Sequence, residues 1–291
     1  MENKSQLGEL VSLSTEDRVR LDGFFCQSEQ PAATRFDAAV ITHGLGGNFY
    51  SSRLLKYFGR VFNELGMAFV LANTRGHDNL TTTIRSGRIT SLGAAYEKVS
   101  ESEYDLAAWS DFLSRQGFEN QLLFGHSLGA IKSIYASAFR PRPHVKAIAA
   151  LSATRLNHQR LLDSAGGNDF KQMLEQAKSF VAQGRGNDLM RVTFPFATWM
   201  AADAYLEKYG PENKYDWIGF AERIELPTLL VYGERELNEN PAFADLRLDL
   251  ESLARSHSQF EIEVVEEADH FYSGRIQAAG EVVRNWLIDK F

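Results

Sequence analysis

Short apolar runs alternate with longer stretches in which apolar residues recur at helical spacing. Arg18–Cys26 and Phe36–Thr42 read as strands. Ser52–Leu65 carries Leu54, Leu55, Phe58, Val61, Phe62 and Leu65 at intervals of three and four, the stripe of an amphipathic helix. Met67–Asn73 is apolar without alternation, as expected of a strand buried on both faces of a parallel sheet. Tyr104–Gln116 reads as a helix with Leu106, Trp109, Phe112 and Leu113 inward. Gln121–Phe124, Val145–Ser152, Thr228–Tyr232 and Phe260–Val265 read as further strands. Ala130–Phe139 and Ser273–Lys290 read as helices. Strands interleaved with helices predict an α/β fold with a mostly parallel central sheet and helices on both faces.

One stretch departs from this rhythm. From Thr154 to Glu225 the pattern shows helices, notably Asp169–Gln183, and no convincing strand. That is long for a crossover between two strands of one sheet. It predicts a helical cap, residues 154–225, inserted into a core formed by residues 1–153 and 226–291.

Within this scaffold Gly125-His126-Ser127-Leu128-Gly129 stands out. It reads G-x-S-x-G between a strand and a helix, where a sharp turn would expose Ser127 at a helix N-terminus. A serine hydroxyl needs a base to become nucleophilic. His270 lies just beyond the last strand, ahead of the final helix, at the edge where such sheets gather their active groups. The other histidines compete less well, although His77, in a loop beyond a strand, could face a pocket. The imidazole needs a carboxylate to fix its tautomer, and Glu234, Glu236, Asp203 and Asp269 are candidates.

These motifs, with His43-Gly44-Leu45-Gly46-Gly47, Thr74-Arg75-Gly76-His77, Tyr232-Gly233-Glu234-Arg235-Glu236 and Asp269-His270-Phe271, resemble the α/β-hydrolase superfamily over residues 36–291. Asn73–Asp78 and Tyr209–Asn213 look like a microbial esterase-type branch of it. The resemblance implies an α/β-hydrolase fold, chain order Ser, acid, His, and an acid three residues after Gly233, which selects Glu236 over its rivals. It also implies an oxyanion hole from the N–H groups of Leu45 and Leu128.

The expectation is therefore a serine hydrolase acting on a carboxylic ester, lactone or thioester through an acyl-enzyme intermediate. Carbon–carbon bond hydrolysis, acyl transfer on the same triad, and a non-catalytic small-molecule receptor remain as alternatives. Phe49, Tyr50, His77, Phe194, Phe196, Trp199, Met200, Trp217 and Phe271 are candidates for pocket walls. Arg75 is expected to brace the loops around the site.

Composition narrows the picture further. Of 291 residues, 44% are hydrophobic, enough for a large core. The charge is 31 − 38 = −7, and no basic run or patch is visible in the string, which disfavours nucleic acid. Gly44-Leu45-Gly46-Gly47 does not fit a dinucleotide fingerprint, and no histidines and carboxylates show metal-ligand spacing. Neither cofactor nor metal is expected. The single cysteine, Cys26, reads as a packed strand residue. A polar Met1–Gln6 without a signal-peptide segment and the absence of a membrane-length apolar run make a cytoplasmic location the expectation. The oligomeric state is not readable.

Overall fold

The computed structural model describes residues 7–85, 87–239, 243 and 245–291; the polar opening Met1–Gln6 lies outside them. An eight-stranded sheet forms the centre. Its strands are β1 (Glu9–Ser14), β2 (Arg20–Cys26), β3 (Ala38–Thr42), β4 (Ala68–Ala72), β7 (Gln121–His126), β8 (Val145–Leu151), β11 (Thr228–Gly233) and β12 (Phe260–Val265). Their order is β1-β2-β4-β3-β7-β8-β11-β12. β1 and β2 are antiparallel to each other, β2 is antiparallel to β4, and every pairing from β4 to β12 is parallel.

The unbroken apolar runs follow from burial on both faces. In β3, Ala39 and Ile41 join one cluster while Ala38 and Val40 join another. In β11, Leu229 and Val231 point to the first cluster, and Leu230 and Tyr232 to the opposite side. The first face is covered by α1 (Arg53–Glu64) and α9 (Ile276–Asp289), the second by α2 (Ser102–Arg115), α3 (Leu128–Phe139) and α8 (Leu246–Ser256). Phe58 of α1 stacks on Phe124 of β7 at 4.4 Å between ring centroids. Both rings are fully buried, and burying each contributes about 2–3 kcal/mol. Ser52 caps α1, its hydroxyl accepting from Leu55 N–H.

The chain between β8 and β11 differs from expectation in one respect. It contains α4 (His158–Asp163), α5 (Gly167–Ala182) and α6 (Ala202–Tyr209), but also an antiparallel hairpin of β9 (Leu189–Val192) and β10 (Thr198–Ala201). Each hairpin strand has four residues, too few to display a period of two. These elements share an apolar cluster that includes Phe170, Met190, Met200 and Tyr205. Residues 215–224 instead pack Tyr215, Trp217 and Phe220 against Ile131 and Ile134 of α3. Five other elements escaped the sequence pattern: β1, the hairpin strands β5 (Thr81–Arg85) and β6 (Arg88–Leu92), α7 (Glu234–Glu239) and α8. The β5–β6 hairpin leaves Ile84 and Ile89 in solvent, so it has no apolar face to announce it.

Arg75, expected to brace the loops around the site, instead ties α2 to the β1–β2 turn. Its guanidinium is buried among Asp105 of α2, Asp17 of the β1–β2 turn and Glu101, with contacts of 2.8–3.0 Å. Asp105 is itself fully buried and also accepts from Arg75 N–H. Removing one partner strands a charge in low dielectric. Asp105→Ala should therefore lower unfolding stability by about 3–5 kcal/mol in urea titration. A loss below about 1 kcal/mol would contradict this role.

Candidate active site

The carboxyl ends of four parallel strands converge on one point. β7 runs directly into Ser127, and α3 begins with the next residue. Ser127 holds φ 57°, ψ −122°, a conformation L residues rarely adopt. Only glycine fits on either side of the turn. A Cβ at Gly125 would lie 2.2 Å from the Gly129 carbonyl oxygen, and one at Gly129 would lie 2.5 Å from that of His43. Ser127 N–H donates to Leu151 O on β8 at 2.8 Å, which pins the apex to the sheet.

Ser127, His270 and Glu236, far apart in sequence, meet there. Ser127 Oγ is 3.1 Å from His270 Nε2, and His270 Nδ1 is 2.8 Å from Glu236 Oε2. A carboxylate can only accept, so Nδ1 carries the proton and Nε2 is left to accept from the serine hydroxyl. Glu236 is buried in α7. Its other oxygen accepts from Gly233 N–H and from Ser152 Oγ–H, each at 2.7 Å. Ser152 sits just past β8 with φ 54° and lies 3.0 Å from the Tyr272 hydroxyl, which donates to Val231 O. Neither Ser152 nor Tyr272 belongs to a recognisable motif. Sequence reading missed both because a serine after a strand and a tyrosine before a helix are commonplace.

The rival acids point elsewhere. Glu234 accepts from Glu267 N–H, and Asp269 accepts from Phe271 and Ser273 N–H in its own loop. Asp203 lies on α6 beside Gly186.

Two further histidines hold the frame. His126 donates from Nε2 to the His270 carbonyl at 2.7 Å, fixing the loop that carries the imidazole. His43 donates from Nδ1 to Gly44 O and accepts Thr74 N–H at Nε2, which shapes the segment leading to Leu45. That segment passes close to the serine, since a Cβ at Gly44 would be 3.1 Å from Ser127 Cβ. Leu128 is the first residue of α3, so its N–H has no intrahelical acceptor.

Two cavities meet at Ser127, and both are lined by Leu45, Phe196, His270 and Phe271. One, of about 390 Å³, is walled by Leu128, Leu156, Leu161, Pro195, Tyr209 and Phe243. The other, of about 1230 Å³, is an open cleft running along α1. Of the anticipated pocket residues, Phe196 and Phe271 therefore line both. Phe49, Tyr50, His77, Phe194 and Trp199 line neither. Phe49 packs into the core beside α1, His77 bonds Asp78, and Trp199 faces solvent on β10. Met200 and Trp217 are buried core residues. Among the described residues no three His, Cys, Asp or Glu side chains converge as metal ligands, and no helix is long and apolar enough to cross a membrane.

Strand order and helix placement define an α/β-hydrolase fold. No family model and no curated protein matches the chain. Solved structures do. Est1E from Butyrivibrio proteoclasticus, with ferulic acid bound, superposes with a TM-score of 0.66 at 14% identity, covering 96% of this chain and 98% of that one. The α/β hydrolase GrgF from Penicillium sp. sh18 gives 0.68 at 13%, covering 97% and 98%. The Pyrococcus furiosus esterase Pf2001 gives 0.64 at 16%, covering 99% and 96%. At these identities the likeness is one of fold.

Burial holds the imidazoles of His43 and His126 at pKa values of about 3, well below 6.5; nearby Lys132 adds to the effect on His43, and His270 to that on His126. The unfolded chain therefore binds protons that the folded chain refuses. Their stabilisation is complete above pH 6.5 and is lost as pH falls toward 3. Urea midpoints should decline between about pH 6.5 and pH 5, before most carboxylates titrate. His126→Gln, which keeps a donor for the His270 carbonyl, should flatten that slope; an unchanged slope would contradict the assignment for His126.

Proposed function

We propose that this protein is a serine hydrolase of carboxylic esters, with thioesters and lactones within its chemical reach. The observation that carries this reading is the continuous hydrogen-bond path from Ser127 Oγ through His270 to Glu236, at 3.1 and 2.8 Å. In this reading Ser127 attacks the substrate carbonyl while His270 Nε2 takes its proton. Glu236 holds the imidazole in the reactive tautomer and stabilises the imidazolium. The N–H groups of Leu45 and Leu128 face the developing oxyanion, and a single such donor is worth on the order of 3 kcal/mol. His270 returns the proton to the leaving group, the acyl–O bond to Ser127 remains, and a water deprotonated by His270 then releases the acid.

Residues 154–214 act as a cap, since Leu156, Leu161, Pro195, Phe196 and Tyr209 wall the smaller cavity. An acyl chain fits that apolar pocket, and the open cleft receives the alcohol or thiol. The presence of esterases among the solved structures of this fold agrees with ester cleavage.

A short p-nitrophenyl ester and a fluorophosphonate probe test the reading together. Wild type should turn over the ester and carry the probe on Ser127; Ser127→Ala should do neither. Turnover that survives Ser127→Ala would remove the proposal. Glu236→Gln should lower kcat about 10³–10⁴-fold, because its amide cannot hold the same tautomer. Glu234→Gln should leave kcat within a few-fold, and the reverse ranking would move the acid. Ser152→Ala removes one of two donors to Glu236 Oε1 and should lower kcat about tenfold with little change in KM.

A further inference from the structure

The larger cavity has a charge character that the chain as a whole lacks. Arg53, Lys56 and Arg60 line it, and no aspartate or glutamate does. They stand at intervals of three and four on α1, so they share one face of the helix. All three are exposed. Lys56 donates to the Tyr50 carbonyl, while Arg53 and Arg60 have no carboxylate partner among the described residues. Glu64, one turn beyond Arg60, is already paired with Arg284. A protein of net charge −7 thus carries a cleft of one positive sign ending at its nucleophile. Such a cleft concentrates anions and steers them inward. The smaller cavity on the other side of Ser127 also has two cations in its lining, but Arg155 is paired with Asp216 and Asp249 and Lys208 lies beside Glu97, and its remaining walls are chiefly apolar and suit an uncharged acyl chain.

We infer that the substrate's leaving group is anionic: an acyl thioester or ester of a phosphorylated carrier, of the coenzyme A type, with its phosphates along the Arg53–Lys56–Arg60 face and its acyl chain in the apolar pocket. This deepens the hydrolase reading and rests on it. The reaction is hydrolysis. The acyl–sulfur bond breaks as the acyl–Ser127 bond forms, and the proton taken by His270 goes to the departing thiolate. Water then divides between the acyl group and Ser127, giving a free acid and a free thiol, with no redox partner. Guanidinium groups suit this task because they bind phosphate in a bidentate manner and cannot lose their charge.

Hexanoyl-coenzyme A and S-hexanoyl-pantetheine share the scissile bond and differ in the phosphorylated nucleotide. Wild type should favour the coenzyme A thioester in kcat/KM by about 10–100-fold at low ionic strength. About 0.5 M NaCl should erase most of that preference. In Arg53→Glu/Arg60→Glu the ratio between the two substrates should fall toward one. Free coenzyme A should bind wild type in calorimetry and the double variant at least about tenfold more weakly. A wild-type ratio near one, or a ratio unmoved by salt and by charge reversal, would overturn the inference. So would cleavage of p-nitrophenyl hexanoate without cleavage of the coenzyme A thioester. Loss of all ester turnover and of probe labelling at Ser127 would mark failure of the hydrolase reading instead, and coenzyme A binding would then judge the cleft alone.

Discussion

The site depends on a backbone conformation at one residue. Ser127 at φ 57° costs on the order of 1–3 kcal/mol relative to an ordinary turn, and the surroundings must over-determine it. They do so by crowding. With β7 hydrogen-bonded between β3 and β8, and α3 packed back onto the sheet, the chain has no room to relax. Gly125 and Gly129 permit the two segments to touch, backbone to backbone. The serine hydroxyl therefore projects from the sheet edge at a position fixed by the core rather than by a loop.

The imidazole faces the opposite problem, because His270 sits in a loop after β12. Three residues restrain it directly and two more act through Glu236. Glu236 holds Nδ1, His126 holds the carbonyl, Ser152 and Gly233 hold Glu236, and Tyr272 ties the loop to β11 through the Val231 carbonyl. His126 ends β7, Ser152 follows β8, and Gly233 and Glu236 lie at the end of β11 and in the helix after it, so three neighbouring strands supply the restraints on a loop that follows a fourth. Phe243 packs 5.6 Å from the imidazole and Phe271 5.1 Å from it. Glu236 itself is buried, and lower dielectric around it strengthens its bond to His270 Nδ1.

The inner strands β3, β4 and β11 were legible as nearly unbroken apolar runs, the edge strand β12 as an alternation of Phe260, Ile262 and Val264 with Glu261 and Glu263, and α1 because its stripe is regular. Ser127 and His270 were legible because a motif and a chain order isolate them. Glu236 needed the family spacing, since Glu234 and Asp269 are chemically equal candidates in the string. The aromatics divided badly. Phe196 and Phe271 line the cavities, but Phe49, Trp199 and Trp217 have the same composition and other destinations. Nothing local distinguishes a core aromatic from a pocket aromatic. The basic cleft was invisible for a geometric reason: Arg53, Lys56 and Arg60 are separated by apolar residues that face the core, so no run appears until the helix is wound.

The inserted segment is joined to the site by buried charge as well as by apolar packing. Lys132, one turn into α3 beyond Ser127, donates to Thr74 Oγ1 and pairs with buried Glu97. Thr74 in turn holds His43, and Lys208 of α6 lies 3.9 Å from Glu97 on its other side. Burial alone would push the Glu97 carboxyl up, yet Lys132 and Lys208 hold it below its ordinary range. Burial pushes the Lys208 ammonium down, with Glu97 opposing. Ion pairs of this kind contribute little net stability, because desolvation offsets their attraction. Their effect is positional. A sliding α6 would strand a charge in the interior, whereas an apolar contact tolerates small shifts. The wall that carries Lys208 and Tyr209 is thereby held in one register against the helix that begins next to Ser127.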